Sequence, residues 1–258
     1  MPGYILPHNL AGEQHRLALM SELLDPMERA HIELLGLRPG WRCLEVGCGN
    51  GSISRWLADR VAPTGHAVAS DLDISYVTGV RQSCLEVRQL DITQDAIEPG
   101  VFDLVVARAV LHHLPSARQV LERMIAALKP GGVLLSIEPD FLPATVAEPE
   151  SMRRFWQGWL QWSVEVNIDY FIGRKIPGWM DSLQLNDVGG EGHTPVFNGG
   201  SRWATYWIET MRELQARIVE SGHINNQGFE QFGNLYRDSR YWTRVMSAVA
   251  CWGRKPPR

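Results

Sequence analysis

The stretch Leu44-Glu45-Val46-Gly47-Cys48-Gly49-Asn50-Gly51-Ser52 decides the reading of this chain, because it runs from an apolar strand end through three glycines on alternate positions into a helix start. Glycine takes φ > 0 without steric cost and leaves the main chain bare, so such a turn can press its backbone against a ligand. Main-chain donors at the start of the following helix suit an anionic group there. The dinucleotide fingerprint G-x-G-x-x-G needs its third glycine at position 52, which is Ser52. The spacing therefore disfavours a nicotinamide dinucleotide. An ordinary glycine-rich strand-to-helix turn is the competing reading, and the sequence downstream weighs against it.

Outward from this loop the chain alternates strand and helix signals. Toward the N-terminus, Leu17, Met20, Leu23 and Leu24 make one helical stripe, and Asp25-Pro26 starts a second helix carrying Met27, Ala30, Leu34 and Leu35. Toward the C-terminus, Ser52 caps a helix with Ile53, Trp56 and Leu57 inside, and a second strand at 66–70 ends in Asp71-Leu72-Asp73. Asp71 stands about twenty residues past the loop, where a doubly wound sheet places a carboxylate on a cofactor ribose; a surface turn aspartate is the alternative. The short segment 74–84 predicts a stunted helix before a third strand at 85–90 that ends at Asp91.

Phe102-Asp103-Leu104-Val105-Val106-Ala107 is a nearly continuous apolar run, as expected of a central parallel strand buried on both faces. It leads into Arg108-Ala109-Val110-Leu111-His112-His113-Leu114-Pro115. Ser116 and Gln119 read as a capping box for a helix that stops at Lys129-Pro130-Gly131-Gly132, and a fifth strand spans 133–137. The alternation then breaks. Helices at 150–166 and 201–220 carry Trp156, Trp159, Trp162, Trp203 and Trp207, followed by a short one with Phe229, Phe232 and Tyr236. These aromatic stripes either line an acceptor pocket or cement a cap onto the core.

Composition narrows the function classes. With 258 residues the chain suits one large α/β domain. A formal net charge of −4 gives no long-range attraction for phosphate backbones or anionic membranes, so neither nucleic acid nor a membrane is expected as partner. The four cysteines, Cys43, Cys48, Cys84 and Cys251, form no C-x-x-C pair and no zinc ligand set, which suits a reducing compartment. The N-terminus lacks a basic and an apolar leader region, and no apolar run reaches membrane-spanning length. A cytoplasmic monomer or homodimer is expected, with no metal.

Taken together, the glycine loop, the acid after strand two, Leu85-Glu86-Val87-Arg88 leading to Asp91-Ile92, Phe102-Asp103-Leu104-Val105, Leu111 to Pro115 and Leu128-Lys129-Pro130-Gly131-Gly132 resemble the class I S-adenosylmethionine (SAM) methyltransferases of the UbiE-like, type 11 kind. The resemblance covers about half the chain. It implies a Rossmann-like, doubly wound sheet of seven mostly parallel strands, the last antiparallel, in a single domain. Within that domain it implies an N-terminal helical lid at 1–40, a SAM-binding core at 41–140, helical cap segments at 141–185 and 200–240, and final strands at 186–199 and 243–254. It implies SAM as cofactor, held by Glu45, Gly47, Gly49 and Gly51 at the loop, Asp71 and Leu72 after strand two, and Asp91 and Ile92 after strand three. Arg108 either reaches the methionine end, bonds a main-chain carbonyl or is a buried structural arginine. The segment before the first helix is expected to close over the cofactor with Tyr4 near its methionine end; a fraying tail is the alternative.

The expected activity is methyl transfer to an O, N or C atom of a small organic molecule. Methyl transfer from a sulfonium needs alignment first, and a general base only where the acceptor loses a proton. His112 and His113 are the leading catalytic candidates, against a packing role at the helix start, and Glu138 and Asp140 stand behind them. Adjacent residues on a regular backbone do not share a face, so only one histidine is expected to meet substrate. The absence of an Asn/Asp-Pro-Pro-aromatic segment after strand four disfavours methylation of nucleic-acid bases. A SAM-binding module without transfer activity, or a cyclase or isomerase that retains SAM, remains as an alternative.

Overall fold

The computed structural model describes residues 5–257, so the expectation for Tyr4 lies outside the described residues. Five strands form the parallel part of a sheet: β1 (Arg42–Val46), β2 (His66–Asp71), β3 (Leu85–Gln89), β4 (Phe102–Arg108) and β5 (Leu128–Asp140). Two more, β6 (Asn186–His193) and β9 (Ser247–Arg254), complete the order β3-β2-β1-β4-β5-β9-β6, with β9 antiparallel to both its neighbours. A separate ribbon pairs β7 (Phe197–Asn198) with β8 (Trp242–Thr243). Strand order reverses at β1, which lies between β2 and β4, so the carboxyl ends of these strands open a crevice for ligand.

Helices α2 (Ser52–Val61) and α3 (Ala117–Ala127) are crossovers of this sheet and bury Ile53, Leu57, Val120, Leu121 and Met124. Apolar runs in β1 and β4 are buried nearly throughout, since helices cover both faces. A short helix, α5 (Ile176–Ser182), precedes β6. Outside the sheet, α4 (Glu150–Glu165), α6 (Arg202–Glu220) and α7 (Asn226–Arg237) pack on one another around Trp156, Trp207, Phe232 and Tyr236. Trp156 meets Phe155 and Trp207 edge-on, at 5.4 Å and 5.3 Å between centroids. Such pairs add about 0.5–1.5 kcal/mol each beyond burial. Among the described residues no helix is long and apolar enough to cross a membrane.

Several local expectations are corrected. The two helices read before the first strand are one, α1 (Glu13–Leu34), which continues through Pro26. Tertiary contacts outweigh the lost hydrogen bond, because Leu24, Asp25 and Glu28 are all buried on either side of the proline. Residues 74–84 form turns rather than a stunted helix; Asp73 accepts from the Ser75 amide at 2.9 Å, and Gly79 at φ +88° sends the chain back. Strand β5 starts at Leu128, since Gly131 and Gly132 are paired to Lys255 at 2.9 Å and 2.8 Å instead of leaving the sheet. Neither Ser52 nor Ser116 caps through its side chain: Gly51 holds the N-cap of α2, and Ser52 Oγ is directed at Ser21 and Asp25 of α1, 3.1 Å from each.

Candidate functional site

A cavity of about 380 Å³ lies over the carboxyl ends of β1, β2, β4 and β5, closed by α1 and the cap. The glycine loop forms its floor. Amides of Gly47 and Cys48 both donate to Ser70 O, at 2.8 Å and 3.0 Å, and the Gly49 amide donates to Asp71 Oδ2 at 2.8 Å, which pins the loop on the end of β2. Gly47 has φ +72°, and a Cβ there would sit 2.4 Å from Val110 Cγ2, so bare backbone is required. Gly49 borders the cavity beside Leu17, whereas Gly51 does not line it and makes room instead for Val77.

Asp71 and Leu72 line the cavity at the end of β2, Leu72 being 53 % exposed. Asp91 and Ile92 line it at the end of β3. Asp91 also closes its own turn, since Oδ1 accepts from the Thr93 amide and hydroxyl at 2.9 Å and 2.6 Å and Oδ2 from Gln94 at 2.9 Å.

The methionine-end candidates belong to a buried charge cluster. Arg108 Nη1 donates to Asp25 Oδ1 at 2.9 Å and to Glu28 Oε2 at 2.6 Å, and all three side chains are less than a tenth exposed. Burial works against the guanidinium charge, but Glu28 and Asp25 outweigh it and hold its pKa above the ordinary value. Glu45 takes a hydrogen bond from Ser54 Oγ, and burial, reinforced by the Glu28 charge, pushes its carboxyl up to about 8. Burial likewise raises Glu28. The cluster ties α1 to the ends of β1 and β4, and the sequence reading missed Asp25 and Glu28. Their spacing is the signal in the sequence: Ser21, Asp25 and Glu28, at i, i+4 and i+7, put three polar groups on one face of a helix.

His112 and His113 follow β4 in a single 3-10 turn, Leu111–His113, reached through Ala109 at φ +56°. The backbone is not regular there. Both rings line the cavity, 3.8 Å apart between centroids. Glu138, at the end of adjacent β5, is the hub: Oε1 accepts from the amides of Val110 and Leu111 at 2.9 Å and 2.7 Å, and Oε2 from the His112 amide at 3.3 Å, with His112 Nδ1 at 2.7 Å. Burial pushes this carboxyl up to about 7 against the pull of the backbone donors. Burial draws His112 down to about 3 and His113 well below its ordinary value, so both rings are neutral near pH 7. A neutral ring whose Nδ1–H faces a carboxylate leaves Nε2 as a proton acceptor. Among the described residues no group of three or more His, Cys, Asp or Glu is arranged to hold a metal ion.

Residues 15–189 match the family model described as a methyltransferase domain. The chain is 32% identical over 137 residues to the ubiquinone/menaquinone biosynthesis C-methyltransferase UbiE of Ectopseudomonas mendocina, covering 50% of each protein. It is 28% identical over 184 residues to the ubiquinone biosynthesis O-methyltransferase of Xanthomonas campestris, covering 68% of this chain and 76% of that one. It thus spans only half the length of the UbiE relative. Its fold is that of Haemonchus contortus phosphoethanolamine N-methyltransferase 2 in complex with SAM, with a TM-score of 0.56 at 17% identity over 98% of this chain and 55% of that one. The match over 15–189, on a sheet that opens between β1 and β4, shows that the chain belongs to the methyltransferase-domain family, the class I SAM-dependent methyltransferases.

Proposed function

We propose that this chain transfers the methyl group of SAM to an oxygen of a small organic molecule. The observation that carries the reading is the His112–Glu138 pair, 2.7 Å apart in the wall of the same cavity that the glycine loop floors. When bound, SAM supplies an electrophilic methyl whose transfer leaves a neutral thioether. The residues present fit that cofactor: bare main chain at Gly47 and Gly49 for the methionine portion, Asp71 for the ribose, Leu72, Asp91 and Ile92 around the adenine. Glu45 and Arg108 hold the loop and the end of β4 in register for it. Gly51 serves the site indirectly, by letting α2 start against Val77.

In this reading His112 Nε2 takes the proton of the acceptor hydroxyl, and the Glu138 carboxylate stabilises the imidazolium that results. His113 shares the wall and shapes the space beside the acceptor. The relatives bear names that put their reactions at carbon as well as at oxygen, so the choice of oxygen rests on the His112–Glu138 pair. Residues 5–12 act as a lid, and α4, α6 and α7 as the cap over the acceptor.

Calorimetry with SAM, S-adenosylhomocysteine and NADH, followed by transfer of a labelled methyl group into extract metabolites, tests the reading. Heat from the first two ligands and label in an O-methyl product are expected. SAM binding with no transferred label leaves the cyclase or binding-module alternative, and NADH binding alone sinks the assignment.

A further inference from the structure

The chain before α1 folds back over the end of β2, and His8 is where the two meet. Its main-chain oxygen accepts from the Tyr76 hydroxyl at 2.6 Å, and its ring stacks on Tyr76 with centroids 4.4 Å apart and planes inclined by 28°. One edge of that ring is engaged: Nδ1 stands 3.4 Å from Ser75 Oγ and 3.6 Å from Asp73 Oδ2. The amide and hydroxyl of Ser75 hold the Asp73 carboxyl below its ordinary value, so Asp73 is a carboxylate near pH 7 and favours the proton on Nδ1. The other edge, Nε2, is left as an acceptor. It has no hydrogen-bond partner among the described residues, although the side chain is only 7% exposed and lines the cavity.

The neighbours of this acceptor say what it faces. The ring is held by Asp73, Ser75 and Tyr76, in the turns that follow β2, and Asp71 at the end of that same strand is the proposed ribose acid. The adenine side lies at Asp91 and Ile92 after β3, and the methionine side at the glycine loop after β1. We propose that His8 is a cofactor-binding residue whose Nε2 accepts a hydrogen bond from one ribose hydroxyl of SAM while Asp71 takes the other. The inference rests on the methyltransferase reading above.

A count of donors and acceptors supports two readers of the sugar. A ribose diol brings two O–H donors, and once residues 5–12 cover it neither can turn to water, so each needs an acceptor. Asp71 has little to spare, because Oδ2 already accepts the Gly49 amide at 2.8 Å and Oδ1 the Asp73 amide at 3.2 Å. Histidine suits the second place, where a lysine or arginine could only donate. A phenylalanine would give the same stack on Tyr76, so ring packing alone does not account for an imidazole in the cavity wall. The bond exists only when the sugar is present, which couples closure of the lid to the cofactor.

The test uses the full chain and calorimetry with S-adenosylhomocysteine and its 2′-deoxy and 3′-deoxy analogues. In the parent each analogue should bind about tenfold more weakly than S-adenosylhomocysteine, since each leaves one acceptor without its hydroxyl. His8→Phe keeps the stack and loses the acceptor. It should bind S-adenosylhomocysteine about tenfold more weakly, with one analogue now within about twofold of it and the other still tenfold behind through Asp71. Asp71→Ala is the complementary arm and needs no change at His8: it should erase the other deficit and leave the one assigned to His8. A His8 that only braces the lid would weaken all three ligands alike in His8→Phe and leave both deficits in place, which overturns the inference. So does a parent that shows fewer than two deficits, or an Asp71→Ala variant that erases both and so assigns the whole diol to the carboxylate. Failure of the parent to bind S-adenosylhomocysteine is the separate failure of the methyltransferase reading, and the inference falls with it.

Discussion

His112 Nδ1 lies 2.7 Å from Glu138 Oε2, across the ends of two neighbouring parallel strands, and the same carboxylate accepts the amides of Val110, Leu111 and His112. One buried acid thus sets both the backbone of the turn and the tautomer of the ring. If His112 is the base, His112→Ala lowers kcat by about 10²–10⁴ with SAM affinity nearly unchanged. Because burial has raised Glu138 to about 7, its carboxylate form grows as pH rises through neutrality, and kcat should climb over that window. Glu138→Gln removes the climb as well as lowering the rate. A pH profile with its limb near 6.5 that survives Glu138→Gln would assign the titration to another group.

Stability should fall with rising pH above about 6.5. Glu45 titrates at about 8 in the folded chain and Glu138 at about 7, both above the unfolded value near 4.5, so between these values the folded state holds the extra proton and loses stability as pH rises. His112, lowered to about 3, has the opposite sign, but its contribution is complete once pH exceeds its unfolded value of 6.5. Above that point the acids act alone. For one proton over 6.5–8 the loss is about 2 kcal/mol, which in a chain of this size is a fall of several degrees in Tm. Glu45→Gln keeps an oxygen for Ser54 and should flatten the slope; an unchanged slope in thermal melts across this range would refute the assignment.

Asp71 is predicted to carry two tasks, since Oδ2 already accepts the Gly49 amide while the residue lines the cavity. Asp71→Ala should weaken SAM by about 1.5–3 kcal/mol, the range for a hydrogen bond to a charged group. Asp71→Asn keeps an acceptor for Gly49 and should lose less. Equal losses in the two variants, measured by calorimetry, would place the charge rather than the loop contact in control, and no loss in either would remove Asp71 from the ribose site.

The sheet was legible because each of its signals is local: an apolar run for β4, a glycine turn for the β1–α2 junction, an acid at the ends of β2, β3 and β5. Pairs formed by register were harder. Arg108 of β4 aligns with Ile137 of β5, which puts Glu138 level with the turn that holds His112, yet 26 residues separate them and nothing local links the two. Proline 26 misled for a related reason, since its local preference to end a helix is overridden by the Asp25 and Glu28 contacts with Arg108. Both histidines reach the cavity only because the backbone leaves regular geometry at Ala109, which no periodicity foretells.

Residues 5–12 tie α6 to the turns that follow β2, and the last prediction concerns that strap. Arg217 of α6 donates to Ile5 O at 3.1 Å and the Gly12 amide donates to Glu213 of α6 at 3.1 Å. On the other side, the Tyr76 hydroxyl donates to His8 O at 2.6 Å, and the His8 ring stacks on Tyr76 at 4.4 Å, with Asp73 3.6 Å from Nδ1. Leu6, Pro7 and His8 line the cavity between these anchors. As the proposed lid, the strap must release ligand by letting go of one anchor, and the two are unequal: Ile5 and Leu6 are buried in the cap core, whereas Tyr76 is half-buried and stands outside the core clusters. Opening should therefore occur at Tyr76. Deleting residues 1–10 is expected to weaken SAM and cut turnover, but it also empties a packed site and so lowers the ligand-free Tm, which makes it the poorer test. Tyr76→Ala removes the stack and the hydrogen bond without touching the cap core. Stopped-flow measurement should show SAM leaving about tenfold faster, the lower end expected from losing such contacts, with Tm nearly unchanged. A release rate equal to the parent's would mean that the strap is a fixed wall, and that ligand passes elsewhere.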